Sequence, residues 1–538
     1  MSIDIETYRL KAQEAIEYVF VKEYHNSLGI PMPIVKMLLP DDANYSTGQY
    51  YITIDKTWQI HLNFGKLPIS YHEFQNEVKV LTRHEIEHYM CCPFDVITHF
   101  RMLKRIRDVY YKHFSHLGIN IEYACGAISN QAADIIVDTK NYYRHSKETL
   151  KSEIDWIKIG ANISACPRHC KLMFLTKEAI WKEDLGINET DPEFLKIVHQ
   201  LADSFTKNGI EDKSSFLDKV EEYAEIFFKL YVEDQKNPQQ SSQQGSQQQS
   251  GQQGPQQQSG QQGSQQQSGQ WGVGRPKDGD EHGNAFVFAD PDKVKEAIEV
   301  LAEETSVEEF IDLLAIAGII GMSDKQKGVL WFNVQSANII PIVEFSNTGN
   351  KSSYTYPSVW RIGDPIEELD LMLTYMTSPR LIPGMTTKKW GYVSNDDNGT
   401  ESKQMDLLLV VDTSGSMGSA MKESANMHQA VLASYGILSY FESTKSKVAF
   451  IGFSDKIDAY VDWSDKYDDV RERLLTNGHG GTKFPISRIK STLDVRSRDL
   501  VTVLITNGDL GNINESVSYF RDYLNDDNKL YIFLLGGS

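Results

Sequence analysis

DLLLVVDTSGSMG, residues 406–418, decides the fold of the C-terminal part of the chain. An unbroken apolar run ends in Asp412 and turns into a Ser/Gly-rich loop. A run that does not alternate is a strand covered on both faces, as in a parallel sheet. KVAFIGFS, LVTVLITNGD and KLYIFLLGG repeat the pattern downstream, separated by helical stretches. This βα alternation predicts a doubly wound α/β sheet, which binds ligands at the carboxyl ends of its strands. Asp412, Ser414 and Ser416 stand at such an end as D-x-S-x-S, an oxygen set suited to a hard divalent cation. GHGGTKF adds Thr482 after a Gly-rich turn, and LITNGDL ends the next strand with Asn507 and, two residues on, Asp509.

Upstream the composition changes abruptly. Residues 235–284 are dominated by Gln, Ser and Gly, and the nonamer QQGSQQQSG runs from Gln243 and returns at Gln261, with a Pro255 variant from Gln252. A polar nine-residue period cannot bury a face, so this reads as a disordered linker and not a solenoid. It divides the chain into an N-terminal α+β domain (1–234), the linker (235–284), a helical and mixed segment (285–403) and the α/β domain (404–538). Pro291 to Gly321 reads as two helices, while 329–399 has no clear period.

The N-terminal part opens with a helix near Ile5–Tyr24. Short strands follow at Ile34–Leu39, Tyr50–Ile54 and Trp58–Asn63, with DDANYSTG as a turn-rich connection. Helices then continue to about Val232. One of them, Ser70–Met90, opens with a capping box of Ser70 and Glu73 and carries HEIEHYM from His84. His84 and His88 lie one helical turn apart on one face, so both imidazoles can reach one ion, and Glu85 is placed to take a proton from a water held there. The other reading is an exposed His-Glu-His face. Zinc needs a third protein ligand. SNQAADIIVDTK, from Ser129, sets Asn130, Asp134 and Asp138 four apart on an otherwise apolar helix, where an unpaired carboxylate is costly. An Asp near a helix N-terminus is also favoured by the helix dipole alone. His99 and Glu122 are weaker candidates. Cys166, His169 and Cys170 could bind a soft metal but lack a fourth ligand, and Cys91 and Cys92 read as core.

H-E-x-x-H followed some forty residues later by N-x-A-A-D resembles the bacterial family that joins a zincin-like metallopeptidase domain to a C-terminal von Willebrand factor A (VWA) domain. The resemblance implies that His84, His88 and Asp134 hold Zn²⁺ and that Glu85 is the general base of peptide hydrolysis. Asp138 stands where that family has a second Asn, and it remains the alternative ligand. D-x-S-x-S is similar to the first loop of a metal-ion-dependent adhesion site (MIDAS). The resemblance then implies Mg²⁺ or Mn²⁺ held by Asp412, Ser414, Ser416 and Thr482, with one open position for a partner's carboxylate. Asn507 departs from the family's Asp and weakens that site, and Asp509 could compensate. The last strand is not followed by the final helix a VWA domain usually has.

Two functions fit. One is a zinc peptidase whose VWA face recruits a protein partner. The other is a non-catalytic VWA adaptor working with a MoxR-type AAA+ ATPase in complex remodelling or metal insertion. Glu85 favours the first, because a structural zinc site gains nothing from a base beside its ligands. Asn507 favours the second. The formal net charge of −20 argues against nucleic acid and anionic membranes as partners. The longest apolar run, about ten residues from Leu313, is too short to span a bilayer. Five cysteines in 538 residues and no leader-like N-terminus give a cytoplasmic expectation.

Overall fold

The computed structural model describes residues 5–42, 50–54, 59–64, 70–159, 163–236, 291–319, 321–337, 358–360, 369–370, 388–389, 405–496, 500–508, 510, 512–525 and 528–536. The low-complexity linker between 237 and 290, most of DDANYSTG, most of 329–399 and Asp509 lie outside them. The chain forms two compact units, Met1–Val334 and Gln335–Ser538.

The first unit is mixed but mostly helical. Helix α1 (Ile5–Glu17) widens into a π-helical turn at Tyr18–Glu23 and buries Ala12, Ile16, Val19 and Phe20. Strands β1 (Ile34–Met37), β2 (Tyr50–Ile54) and β3 (Gln59–Phe64) form a sheet of order β1-β3-β2, with β1 parallel and β2 antiparallel to β3. Ile60 and Leu62 of β3 meet Phe74 and Val78 of α2 (Tyr71–Met90) in this core. Ser70 caps α2, its hydroxyl accepting from the Glu73 amide at 3.2 Å. The start and pitch of the helix that carries His84 and His88 are therefore set by sequence at its first turn and by packing along one face.

Helices α3 (Val96–Val109), α4 (Ile121–Ile159), α5 (Arg168–Trp181), α6 (Pro192–Thr206) and α7 (Phe216–Lys236) complete the bundle. α4 breaks at His145, whose φ of −136° and ψ of 47° leave the helical region. Asp138 and Glu153 sit on opposite sides of that break, yet both reach Lys177 Nζ of α5, at 2.6 and 2.9 Å. In a straight helix they would stand about 22 Å apart along the axis, so the break folds the second half of α4 back towards the first. That return brings Glu148 to Arg83 of α2, which also pairs with Glu23 at 2.6 Å.

Composition places the domain boundary at the linker; the structure differs. Helices α8 (Pro291–Glu304), α9 (Val307–Ile316) and α10 (Asp324–Ala337) as far as Val334 belong to the first unit. α9 buries Val307, Phe310, Leu313 and Leu314. α8 and α9 set acidic side chains against basic ones of α3: Arg101 with Glu304, Lys104 with Glu309 at 2.6 Å, and Arg107 with Asp312 at 2.7 Å.

The second unit contains three short paired strands, β4 (Ser358–Val359), β5 (Leu369–Asp370) and β6 (Lys388–Lys389), and a five-stranded sheet. Its elements are β7 (Asp406–Asp412), α11 (Asn426–Ser443), β8 (Val448–Phe453), β9 (Ile457–Ser464), α12 (Tyr467–Leu474), α13 (Ile486–Leu493), β10 (Leu500–Thr506), α14 (Val517–Asn525) and β11 (Lys529–Leu534). The order is β11-β10-β7-β8-β9, parallel except for the edge strand β9. The sheet grows outward from β7 in both directions, so the crevice between the ends of β7 and β10 is the point where the strand order reverses. Asp412 ends β7, and Asn507 follows β10.

Candidate metal centres

In the first unit three ligand atoms converge. His84 Nε2 and His88 Nε2 lie 3.1 Å apart with their rings perpendicular, and Asp134 Oδ1 stands 3.5 and 3.2 Å from them. All three residues are the kind that hold zinc, and their ligand atoms fall within 4.8 Å of one another. α2 supplies the two imidazoles, four residues apart, and α4 supplies the carboxylate across the helix–helix contact.

The opposite ring nitrogens decide what those atoms present. His88 Nδ1 donates to the Cys92 carbonyl at 2.8 Å, and His84 Nδ1 donates to Asp138 Oδ1 at 2.6 Å. An imidazole whose single proton is on Nδ1 carries its lone pair on Nε2, and the two Nε2 atoms face each other here. Asp134 Oδ1 adds a third acceptor; it is buried, and no hydrogen bond of good geometry reaches it, although His88 Nε2 is close by. Three acceptors facing one point repel unless a cation or a proton stands among them. Burial works against charge on His88, yet Asp134 and Glu85 raise its pKa to about 9, so in the metal-free protein a proton takes that place. Burial also opposes the Asp134 carboxylate, and the two imidazoles more than offset it, holding its pKa below the usual value. The residues present therefore fit a divalent cation with borderline ligand preference.

Asn130 donates to Asp134 Oδ2 at 3.2 Å, which aims the other oxygen at the histidines. Asp138 is turned away from the converging atoms, its two oxygens taken by His84 and by Lys177. Glu85 is buried beside the pair. His99 is buried on α3 and Glu122 is exposed at the start of α4; neither belongs to the converging set among the described residues. Nor do Cys166, His169 and Cys170: His169 pairs with Asp234 at 2.8 Å, and burial pushes the Cys170 thiol up to about 12.

The second unit gathers hydroxyls at the reversal point. Asp412 Oδ1 accepts from the Ser414 amide at 2.9 Å, and its Oδ2 accepts from the Thr506 hydroxyl at 2.8 Å. Ser414 and Ser416 hydroxyls lie 3.1 Å apart, and Asn507 Nδ2 donates to Ser416 Oγ at 2.7 Å. Asp412, Ser414, Ser416 and Asn507 thus meet. The Gly-rich loop docks beside them through Gly415 N to Gly480 O at 3.2 Å. Glycine is required there: a Cβ on Gly478 would come within 2.5 Å of the Thr413 carbonyl, and Gly480 has a φ of +114°. Thr482, on the same loop, is half-buried, and no contact from its side chain to these residues is described.

Lys177, Glu153 and Thr506 do not emerge from the sequence motifs. Lys177 had a signal of the same kind as Asp134, since it lies in the apolar run KLMFLTKEAIW and needs a buried partner. Neither the family models nor the curated proteins returned a match to the chain. No helix among the described residues is long and apolar enough to cross a membrane.

Proposed function

We propose that the first unit is a zinc-dependent metallopeptidase and the second a VWA-type module that binds a divalent cation and, through it, a protein partner. The observation that carries the first part is the convergence of His84 Nε2, His88 Nε2 and Asp134 Oδ1 on one point, all within 4.8 Å of one another. His84, His88 and Asp134 would hold the zinc, which when bound acidifies a water and polarises a carbonyl. Glu85 follows His84 on the same helix, and its charge acts on His88. Its role is to take the proton of the attacking water at its carboxylate and return it to the leaving amine. Asn130 and Asp138 hold Asp134 and His84 in orientation. The second part is supported by the sheet order and by oxygen ligands at its reversal point.

The adaptor reading, with a MoxR-type ATPase as partner, is favoured by one observation: Asn507 offers an amide in place of a carboxylate and its Nδ2 donates to Ser416, engaging one of the candidate cation ligands. Metal content and casein cleavage of the wild type, His84→Ala and Glu85→Gln decide between the two. The peptidase reading expects about one zinc per chain, lost in His84→Ala and kept in Glu85→Gln, with cleavage absent from both variants. Zinc retained with equal inactivity in the wild type and Glu85→Gln supports the adaptor. A wild type that takes up no zinc ends the first reading.

A further inference from the structure

Behind His84 lies a buried ionic set, Asp138, Lys177 and Glu153, of which the proposed chemistry uses only Asp138. Lys177 is 2 % exposed at its side chain and touches two carboxylates, Asp138 Oδ2 at 2.6 Å and Glu153 Oε1 at 2.9 Å. The remaining Asp138 oxygen is the one that accepts from His84 Nδ1. A carboxylate can rotate, and the rotamer seen here is fixed from behind by an ammonium that is itself held on its far side by Glu153. Burying such a set is costly, and replacing it with apolar residues often costs nothing in stability, so its presence asks for a reason other than holding helices together. Its position supplies one, because the set ends on the nitrogen that dictates which face of the His84 ring carries the lone pair. The fold is bent to build it: Glu153 reaches Lys177 only because α4 breaks at His145.

We propose that Lys177 is a positioning residue for His84, locking the Asp138 carboxylate against Nδ1 so that Nε2 is the atom presented to His88 and Asp134. This rests on the metal reading of the site. Lys177→Met alone leaves Asp138 and Glu153 buried without their cation and can unfold the hairpin of α4. The test variant is therefore Lys177→Met with Glu153→Gln, which removes one charge of each sign, with Lys177→Gln as a second variant that keeps a donor for Asp138. Full-length proteins are titrated with Co²⁺ alone, and unfolding is followed by circular dichroism. The ring nitrogens of His84 are read by NMR on histidine-labelled protein, assigned from the signal missing in His84→Ala.

The proposal expects a folded double variant that binds Co²⁺ about 10- to 100-fold more weakly. It also expects the protonated Nδ1 signal of His84 to be lost, and Lys177→Gln to fall between the double variant and the wild type. Co²⁺ affinity within twofold of wild type and an unchanged His84 signal, with only a lower melting temperature, overturn it: Lys177 is then structural. If the double variant does not fold, Lys177→Gln decides by the same two readings. If the wild type binds no Co²⁺, the metal reading falls, and the His84 signal in the metal-free proteins still decides the positioning role.

Discussion

The two centres of this chain solve opposite problems with similar means. In the C-terminal unit most of the acceptors have found a donor inside the protein: Asp412 is held by Ser414 and Thr506, and Ser416 by Asn507, while the Asn507 carbonyl oxygen is buried without one. In the N-terminal unit the donors that orient the ligands stand behind the site. They fix His84, His88 and one oxygen of Asp134, and so drive three acceptor atoms together in front. A site that supplies most of its own donors accepts an ion at the cost of some of its own hydrogen bonds. A site whose acceptors face one another gains stability from a cation or a proton placed among them.

The sharpest way to separate them is to remove one ligand from each. Asp134→Ala should bring zinc content to background, whereas Ser416→Ala should leave zinc untouched and weaken only Mg²⁺ binding, both read by elemental analysis after dialysis. Next in size is the response to chelation in calorimetry. Zinc at about a thousand times its Kd should add about 4 kcal/mol to the first unit, against about 1.4 kcal/mol for Mg²⁺ at ten times its Kd in the second. Equal shifts would break the comparison.

A smaller effect lies in pH. With its pKa raised from 6.5 to about 9, His88 binds its proton more tightly folded than unfolded. The metal-free first unit therefore keeps that stabilisation below about pH 6.5 and loses it as pH rises through 9. Loaded with zinc, the same unit should instead weaken as pH falls, because protons compete for the ligands. Melting temperature against pH, with and without zinc, should give slopes of opposite sign; a flat metal-free curve removes the proton from the site. The smallest expected change is Asn507→Asp, which restores a negative charge to the second centre and should tighten Mg²⁺ about tenfold in a calorimetric titration.

Local signals were legible in the sequence. The Ser70–Glu73 capping box marks the start of α2, β2 falls on Tyr50–Ile54, and the buried parallel strands around Asp412 announce themselves by unbroken apolar runs. What was not legible depends on contacts distant in sequence. Spacing puts Asp134 and Asp138 on one helical face; Lys177, 39 residues after Asp138, takes one oxygen of Asp138 and leaves Asp134 to face the histidines. The break at His145 carries no Pro or Gly to mark it. The place of α8 and α9 was hidden by the composition change before them, although Glu304, Glu309 and Asp312 match the basic row Arg101, Lys104 and Arg107 of α3.

That last match has a consequence for how the polypeptide behaves once nicked. The glutamine-rich stretch leaves α7 and returns to α8, so both of its ends are anchored on the same body. A protease acting between Lys236 and Pro291 would yield two bands on a denaturing gel and one particle in native solution. High salt, which screens the exposed part of the α3–α9 seam, should loosen that particle, and the apolar contacts of Phe310 and Leu313 should still hold it together.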